Sequence, residues 1–224
     1  LTIAQFLKDN GYRTALFGKW HLGAKREHGP NAFGFDEFFG HRSGFIDNYR
    51  HMFLPSRVGR PPFHDLWDDE TEVHMDGHFF ADLVTARATT FLEENKDNPF
   101  FLYVPFNLPH YPYQPDADYM EKYKHLPEPR RPYAAMVSTV DRRIGRIMDK
   151  LDELGLREDT LVFYMSDNGH STEDAWNWDF RYGAYGGGGY TGRWRGAKGS
   201  FLEGGIRVPA IISMPGKIPE GEVR

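Results

Sequence analysis

The sequence predicts an α/β fold of three layers, a largely parallel central sheet flanked by helices. Three observations carry that expectation. Amphipathic helical stretches alternate with short apolar runs of strand length. Two of those runs, residues 100–104 and 160–165, are almost continuously apolar, the mark of strands covered on both faces. A chain of 224 residues can also bury roughly 70 per cent of its unfolded surface, enough for one good core, so one domain over 1–224 is expected.

Thr2-Ile3-Ala4-Gln5 reads as a capping box, with the Thr2 hydroxyl accepting from the backbone at Gln5 and Gln5 reaching back. The helix it opens runs to Asn10 on an apolar stripe of Ile3, Phe6 and Leu7, and Gly11 supplies a left-handed stop. Residues 12–17 then form a strand that delivers Gly18-Lys19-Trp20-His21-Leu22-Gly23 at its carboxyl end. From His28 to about His78, prolines at 30, 55, 61 and 62 and the lack of a sustained period predict irregular chain, a functional surface or a lid. A second helix begins near Ala81, capped by Asp82, with Val84, Ala88, Phe91 and Leu92 on one face.

The strand at 100–104 leads to His110, where Pro109 and Pro112 stiffen the backbone around one imidazole. Residues 131–154 form a long helix with Met136, Val140, Ile144, Ile147, Met148 and Leu151 as its core stripe and Gly155 as its stop. The strand at 160–165 ends on Ser166-Asp167-Asn168-Gly169. A further strand is expected at 210–214, closed by Pro215-Gly216.

Composition removes several classes of function. Lys and Arg total 27 against 32 acids, and a net charge of -5 argues against a nucleic-acid binder with a strongly basic face. Cysteine is absent, so disulfides, thiolate metal sites and a cysteine nucleophile are excluded within these residues. No apolar run approaches the ~20 residues that span a bilayer, and nothing resembles a signal peptide, so no membrane partner is expected. The chain opens at Leu1 directly on a helix, which predicts an upstream part and leaves localisation open.

Three strands end in polar clusters: Lys19 with His21, His110, and Asp167 with Asn168. In open α/β sheets ligands gather outside the carboxyl ends of strands, so the three point to one shared site. Lys19 and His21, two apart on an extended segment, leave the same face and place an ammonium beside an imidazole, a pair suited to an anion. The plain alternative is a buried Lys-Trp-His turn. Asp167 and Asn168 offer a carboxylate and an amide oxygen, which suit calcium or, less well, magnesium, although Asp-Asn-Gly is also ordinary turn chemistry. Lys198 stands between glycines that let a ligand approach the backbone, outside any P-loop order.

As a set, GYRTALFGKWHLG, FFLYVPFNLPHYP, SDNGH and GAKGSFLEGGIRVPAIISMPG resemble the type I sulfatases of the alkaline phosphatase superfamily, in the family's order and over nearly the whole chain. The resemblance implies an alkaline-phosphatase-like sandwich and an arylsulfatase-like sulfuric ester hydrolase. It implies that Lys19 holds sulfate and nucleophile, that His21 bonds the nucleophile, and that His110 stands near the leaving oxygen. It also implies that Lys198 is a second sulfate-binding lysine and that Asp167 and Asn168 are calcium ligands.

The nucleophile the family uses, a formylglycine made in a C/S-x-P-S-R motif, is expected upstream, along with two more aspartate ligands. A carboxy-terminal subdomain is likewise expected beyond Arg224, so the piece by itself should be inactive. Phe53-Leu54-Pro55-Ser56-Arg57 imitates the tail of the motif by chance. A sulfated carbohydrate or small aryl sulfate is the expected substrate, in a periplasmic or secreted setting. A phosphomonoesterase or phosphodiesterase of the same superfamily and a non-catalytic anion-binding relative are the alternatives.

Other features read more plainly. His74 and His78 have the i, i+4 spacing of a metal pair, but Gly77 and the lack of a glutamate after His74 argue against zinc. Gly186 to Gly189 predict a flexible loop. Trp176, Trp178, Tyr182, Tyr185, Tyr190 and Trp194 form either a platform for a sugar or aryl group or a self-packed loop. His170 and Glu173 are candidates for contacts behind the metal pair or to substrate.

Overall fold

The computed structural model describes residues 1–53, 61–172 and 187–223. Helix α1 (Ile3–Asp9) leads into β1 (Arg13–Lys19), an interior strand of a five-stranded sheet. On one side β1 pairs in parallel with β2 (Glu37–His41), and on the other with β7 (Phe100–Tyr103). Two short strands, β5 (Trp67–Asp68) and β6 (Thr71–Glu72), extend the β2 edge in antiparallel fashion. The sheet is therefore mixed, with its parallel part at the core.

Alternation along β1 sorts the core onto two faces. Ala15 and Phe17 face helix α2 (Phe80–Glu94) together with Phe39, Val84, Ala88 and Phe91. Leu16 faces the other way, onto Ala4 of α1 with Phe35 and Phe38. Each fully buried Phe contributes about 1.5–3 kcal/mol of transfer free energy. Helix α4 (Arg130–Glu153) packs outside α2 through Met136 and Val140, with Ile144 and Ile147 half-buried beside them, as its stripe predicts. A short α3 (Ala117–Lys122) precedes it, and Asp116 at its cap is bonded with Asp82 to the buried Arg143 guanidinium.

Several local expectations are corrected. Thr2 does accept from Gln5 N at 3.1 Å, but the Gln5 amide donates forward to Asp9 Oδ1 at 2.8 Å rather than back. Ile3 and Phe6 are exposed, and Ala4 is the buried residue of α1, packed with Leu16, Phe35 and Phe38. The helix also approaches Gly34 closely at Gln5. A Cβ at Gly34 would lie 2.3 Å from Gln5 N. Helix α2 is capped at Phe79 without a side-chain bond, and Asp82 sits in its first turn, held by Arg143 and Arg146.

The stretch from His28 to His78 is not simply irregular. It contains β2, buried on both faces, which shows no alternation because Phe38 and Phe39 are both inside. Gly40 serves that strand by close approach: a Cβ there would meet Gly18 O at 1.8 Å. The same stretch holds an antiparallel ribbon of β3 (Met52–Phe53) and β4 (Phe63–His64). Apart from Phe53, the motif-like segment at 53–57 lies outside the described residues.

The two apolar runs are also less covered than their composition predicts. Tyr103 of β7 is 49% exposed, and β8 (Val162–Met165) shows Phe163 at 55%. Among the described residues β8 pairs only with β9 (Ala210–Ser213), antiparallel and apart from the five-stranded sheet, so neither strand has neighbours on all sides. Gly187 to Gly189, read as a flexible loop, are anchored in their described part. Tyr113 Oη donates to Gly187 O at 2.6 Å, Arg130 donates to Gly188 O at 2.6 Å, and a Cβ at Gly189 would strike His170.

Candidate active site

Strand β1 ends at Lys19, whose N donates to Pro105 O at 2.8 Å. This places the carboxyl end of β1 against the segment that leaves β7. The contact requires Gly18, where a Cβ would lie 2.2 Å from the same Pro105 oxygen. His21 then turns out of the strand with φ 58, so the period-two argument for Lys19 and His21 does not describe the backbone there.

Electrostatics nevertheless join them. Partial burial, then the Lys19 and Lys198 charges, hold the His21 imidazole below its ordinary pKa, while Asp167 pulls the other way. The three sequence-predicted charged groups thus act on one ring, although they come from positions 19, 167 and 198.

His110 lies on the segment after β7. Its Nδ1 is 2.9 Å from Tyr111 O and its Nε2 is 3.2 Å from Lys198 Nζ. A carbonyl can only accept and an ammonium can only donate, which assigns the proton to Nδ1 and leaves the Nε2 lone pair toward the lysine. Phe45 stacks on the His110 ring at 5.4 Å between centroids and 16° between planes, fixing its orientation.

Lys198 is held by its own backbone, whose N donates to His170 O at 3.0 Å, and Gly199 beside it has φ 85. The 166–169 turn after β8 docks on the start of α5 (Glu203–Ile206): Gly169 N donates to Gly205 O at 2.9 Å. That approach leaves 1.8 Å between a Cβ at Gly169 and Gly204 O, so only glycine fits. Within the turn the Asn168 Nδ2 donates to Gly169 O at 2.8 Å, which leaves the amide's oxygen as the end to offer a cation. Asp167 is exposed, and among the described residues it forms no ion pair. A carboxylate and an amide oxygen side by side fit a hard divalent cation, and they are fewer than the about six to eight oxygens calcium takes.

Three residues at the site were not legible in the sequence. His41, the β-sheet partner of Lys19, is fully buried against Phe80. Burial, and next to it the Lys19 charge, hold it well below the ordinary histidine pKa despite Asp65. Gly44 faces His21, since a Cβ there would lie 2.9 Å from its Cε1 and Nε2. Phe45 is the third. Their only signal was the Gly40-His41-Arg42-Ser43-Gly44-Phe45 string inside a stretch without period. Of the aromatic-rich loop, residues 173–186 lie outside the described residues, with Glu173, Trp176, Trp178, Tyr182 and Tyr185. Tyr190 is exposed, and Trp194 lies between the guanidinium groups of Arg193 and Arg207 at 4.5 and 4.4 Å.

The Sulfatase family model matches residues 1–224. Arylsulfatase J of Mus musculus is 33% identical over 222 residues, covering 96% of this chain and 34% of the relative. N-acetylgalactosamine-6-sulfatase of Canis lupus familiaris is 30% identical over 237 residues, with 99% and 41% covered. Among solved structures, Ps i-CgsB in complex with k-i-k-neocarrahexaose superposes with a TM-score of 0.80 at 31% identity, over 98% of this chain and 48% of that one. The PsFucS1 sulfatase from Pseudoalteromonas sp. gives 0.73 at 29% identity, over 96% and 45%. The chain therefore spans a third to a half of the length of these relatives.

Proposed function

The chain belongs to the sulfatase family, and from that premise we propose that it forms part of an enzyme that hydrolyses a sulfate ester to an alcohol and sulfate. The observation that carries the reading is the 3.2 Å contact between Lys198 Nζ and His110 Nε2, in a field that also links Lys19 and Asp167 to His21. Transfer of a sulfuryl group spreads negative charge over its oxygens, so preplaced cations lower the barrier. One such pair at 4 Å is worth about 4 kcal/mol at an effective dielectric near 20.

Lys19 and Lys198 bind the sulfate oxygens in this reading. His110 is the group that passes a proton to the departing alcohol oxygen; its Nε2 carries a lone pair toward the Lys198 ammonium, so the proton it gives is one that Nε2 first takes from Lys198 Nζ. His21, its pKa lowered by partial burial and then by the Lys19 and Lys198 charges, serves as hydrogen-bond partner to the nucleophile. Asp167 and Asn168 are the residues we assign to calcium, which when bound polarises sulfate oxygens as a Lewis acid. The family's nucleophile, a hydrated formylglycine, is assigned to a C/S-x-P-S-R segment, a motif that does not occur within residues 1–224.

A sulfated carbohydrate is the substrate class we favour, because the similar Ps i-CgsB was solved with a neocarrahexaose and a 30% identical relative is an N-acetylgalactosamine-6-sulfatase. A periplasmic or secreted setting, where sulfated carbohydrates are met outside the cytoplasm, is the location we assign on that reading. No helix of the described residues is long and apolar enough to cross a membrane.

The test is paired turnover by the intact protein of an aryl sulfate, the matching aryl phosphate and a panel of sulfated oligosaccharides. Sulfate release, with the phosphate ester at least a hundredfold slower, supports the reading. Turnover of the phosphate ester alone, or of neither by a folded and metal-loaded protein, overturns it.

A further inference from the structure

We propose that His64, Glu72 and His74 form a binding site for a zinc-class divalent transition-metal cation, on residues that the candidate active site does not use. One ligand atom from each of the three lies within 4.8 Å of the others. His64 is the last residue of β4, Glu72 the last of β6, and His74 follows two positions later, so a bound cation would tie two separate ribbons together. The backbone already brings them close: Val73 N donates to Leu66 O at 2.9 Å.

The chemistry of the set is specific. Two imidazoles and one carboxylate are borderline ligands that suit zinc, nickel or copper, whereas calcium takes an all-oxygen shell. Three protein ligands leave the fourth position of a tetrahedral ion to water. His64 Nδ1 and Glu72 Oε1 lie 2.8 Å apart, near the edge of about 3.3 Å that bonds of about 2.0–2.1 Å set in a tetrahedron. The His64 and His74 rings stack at 4.1 Å with 28° between planes, and His74 and Glu72 are exposed, free to tilt onto a common centre.

A second observation lies behind these three. His64 Nε2 is buried without a hydrogen-bond partner, and so is Nδ1 of His51, a fully buried residue whose ring stands at 90° to that of His64 with 6.2 Å between centroids. His51 Nε2 donates to His78 O at 3.1 Å, which leaves its Nδ1 as a lone pair. Buried imidazole nitrogens without partners are costly, and two of them beside a His/Glu/His cluster mark a place where polar demand exceeds what the chain supplies. The pair His74 and His78, suggested by spacing, is not the one assembled. His78 turns its Nδ1 to Met75 O at 3.3 Å, and His74 meets His64 instead.

The experiment is calorimetric titration of the chelator-stripped full-length chain with Zn2+ alone, followed by Co2+ absorption as a report of coordination geometry. One Zn2+ bound per chain, a tetrahedral Co2+ spectrum and a rise in Tm with Zn2+ are expected. His74→Ala and Glu72→Gln, both at exposed positions, should each weaken binding at least tenfold and abolish the Tm rise, while His78→Ala and Asp167→Asn leave both unchanged. Absence of Zn2+ binding below millimolar concentration overturns the proposal. So does a loss of binding in His78→Ala with Glu72→Gln still binding as the parent.

Discussion

Lys198 Nζ sits 3.2 Å from His110 Nε2, a contact between residues 88 positions apart. With Nδ1 of the same ring at 2.9 Å from Tyr111 O, the tautomer is set from both ends. The ammonium then serves two roles in the proposed reaction: it counters charge on sulfate, and it keeps a donor hydrogen at the edge of the imidazole that faces the leaving oxygen.

Replacing Lys198 by Ala should therefore lower kcat/KM for a sulfate ester by about 10²–10³, the usual loss for one preorganised charge-stabilising donor. Lys198→Arg should not restore it, because a planar guanidinium cannot present a point charge at Nε2. Initial rates on the intact protein decide this, and wild-type rates in Lys198→Ala would remove the residue from the site.

Calcium dependence should run through the 166–169 turn. Chelation with EGTA is expected to suppress activity, and added Ca2+ to restore it in the parent protein. Asp167→Ala should not recover at the same Ca2+ concentration, since it lacks one hard oxygen ligand. Recovery equal to the parent would place the cation elsewhere.

Two glycine substitutions should separate folding from function. Gly40→Ala forces a Cβ to within 1.8 Å of Gly18 O between two packed strands and should destabilise by about 2–3 kcal/mol, read from urea denaturation. Gly44→Ala meets only the ring of exposed His21, at 2.9 Å, and should leave stability within about 0.5 kcal/mol while displacing the imidazole and lowering the rate. Equal destabilisation by both would contradict the packing described.

His41 should make the protein acid-sensitive. Burial, chiefly, depresses its pKa in the folded state from 6.5, so the unfolded chain takes up a proton that the folded chain refuses. Stability contributed this way is complete above pH 6.5 and is lost as the pH falls below it, at up to about 1.4 kcal/mol per pH unit for one proton. His41→Leu should flatten that limb between pH 6.5 and 4.5 in urea titrations. An unchanged slope would assign acid sensitivity to other groups.

The amino-acid sequence by itself determined the helices and the identity of the chemical groups. Val84, Ala88, Phe91 and Leu92 repeat at helical spacing and are buried, and Met136 and Val140 do the same on α4, because 3.6-residue periodicity is a local property of the chain. The family-like strings at Lys19, His110, Asp167 and Lys198 were likewise readable as linear text.

Tertiary structure alone decided which strands are covered and which groups meet. Strand β2 lies at the centre of the sheet without alternation in its sequence, since both its faces are inside and its Gly40 is demanded by the Gly18 carbonyl of a neighbouring strand. Apolar β8 is exposed because its pairing is with β9 alone among the described residues. His74 faces His64, not the evenly spaced His78. Pairing, coverage and convergence depend on distances between residues far apart in the chain, and those arise only when strands and helices dock.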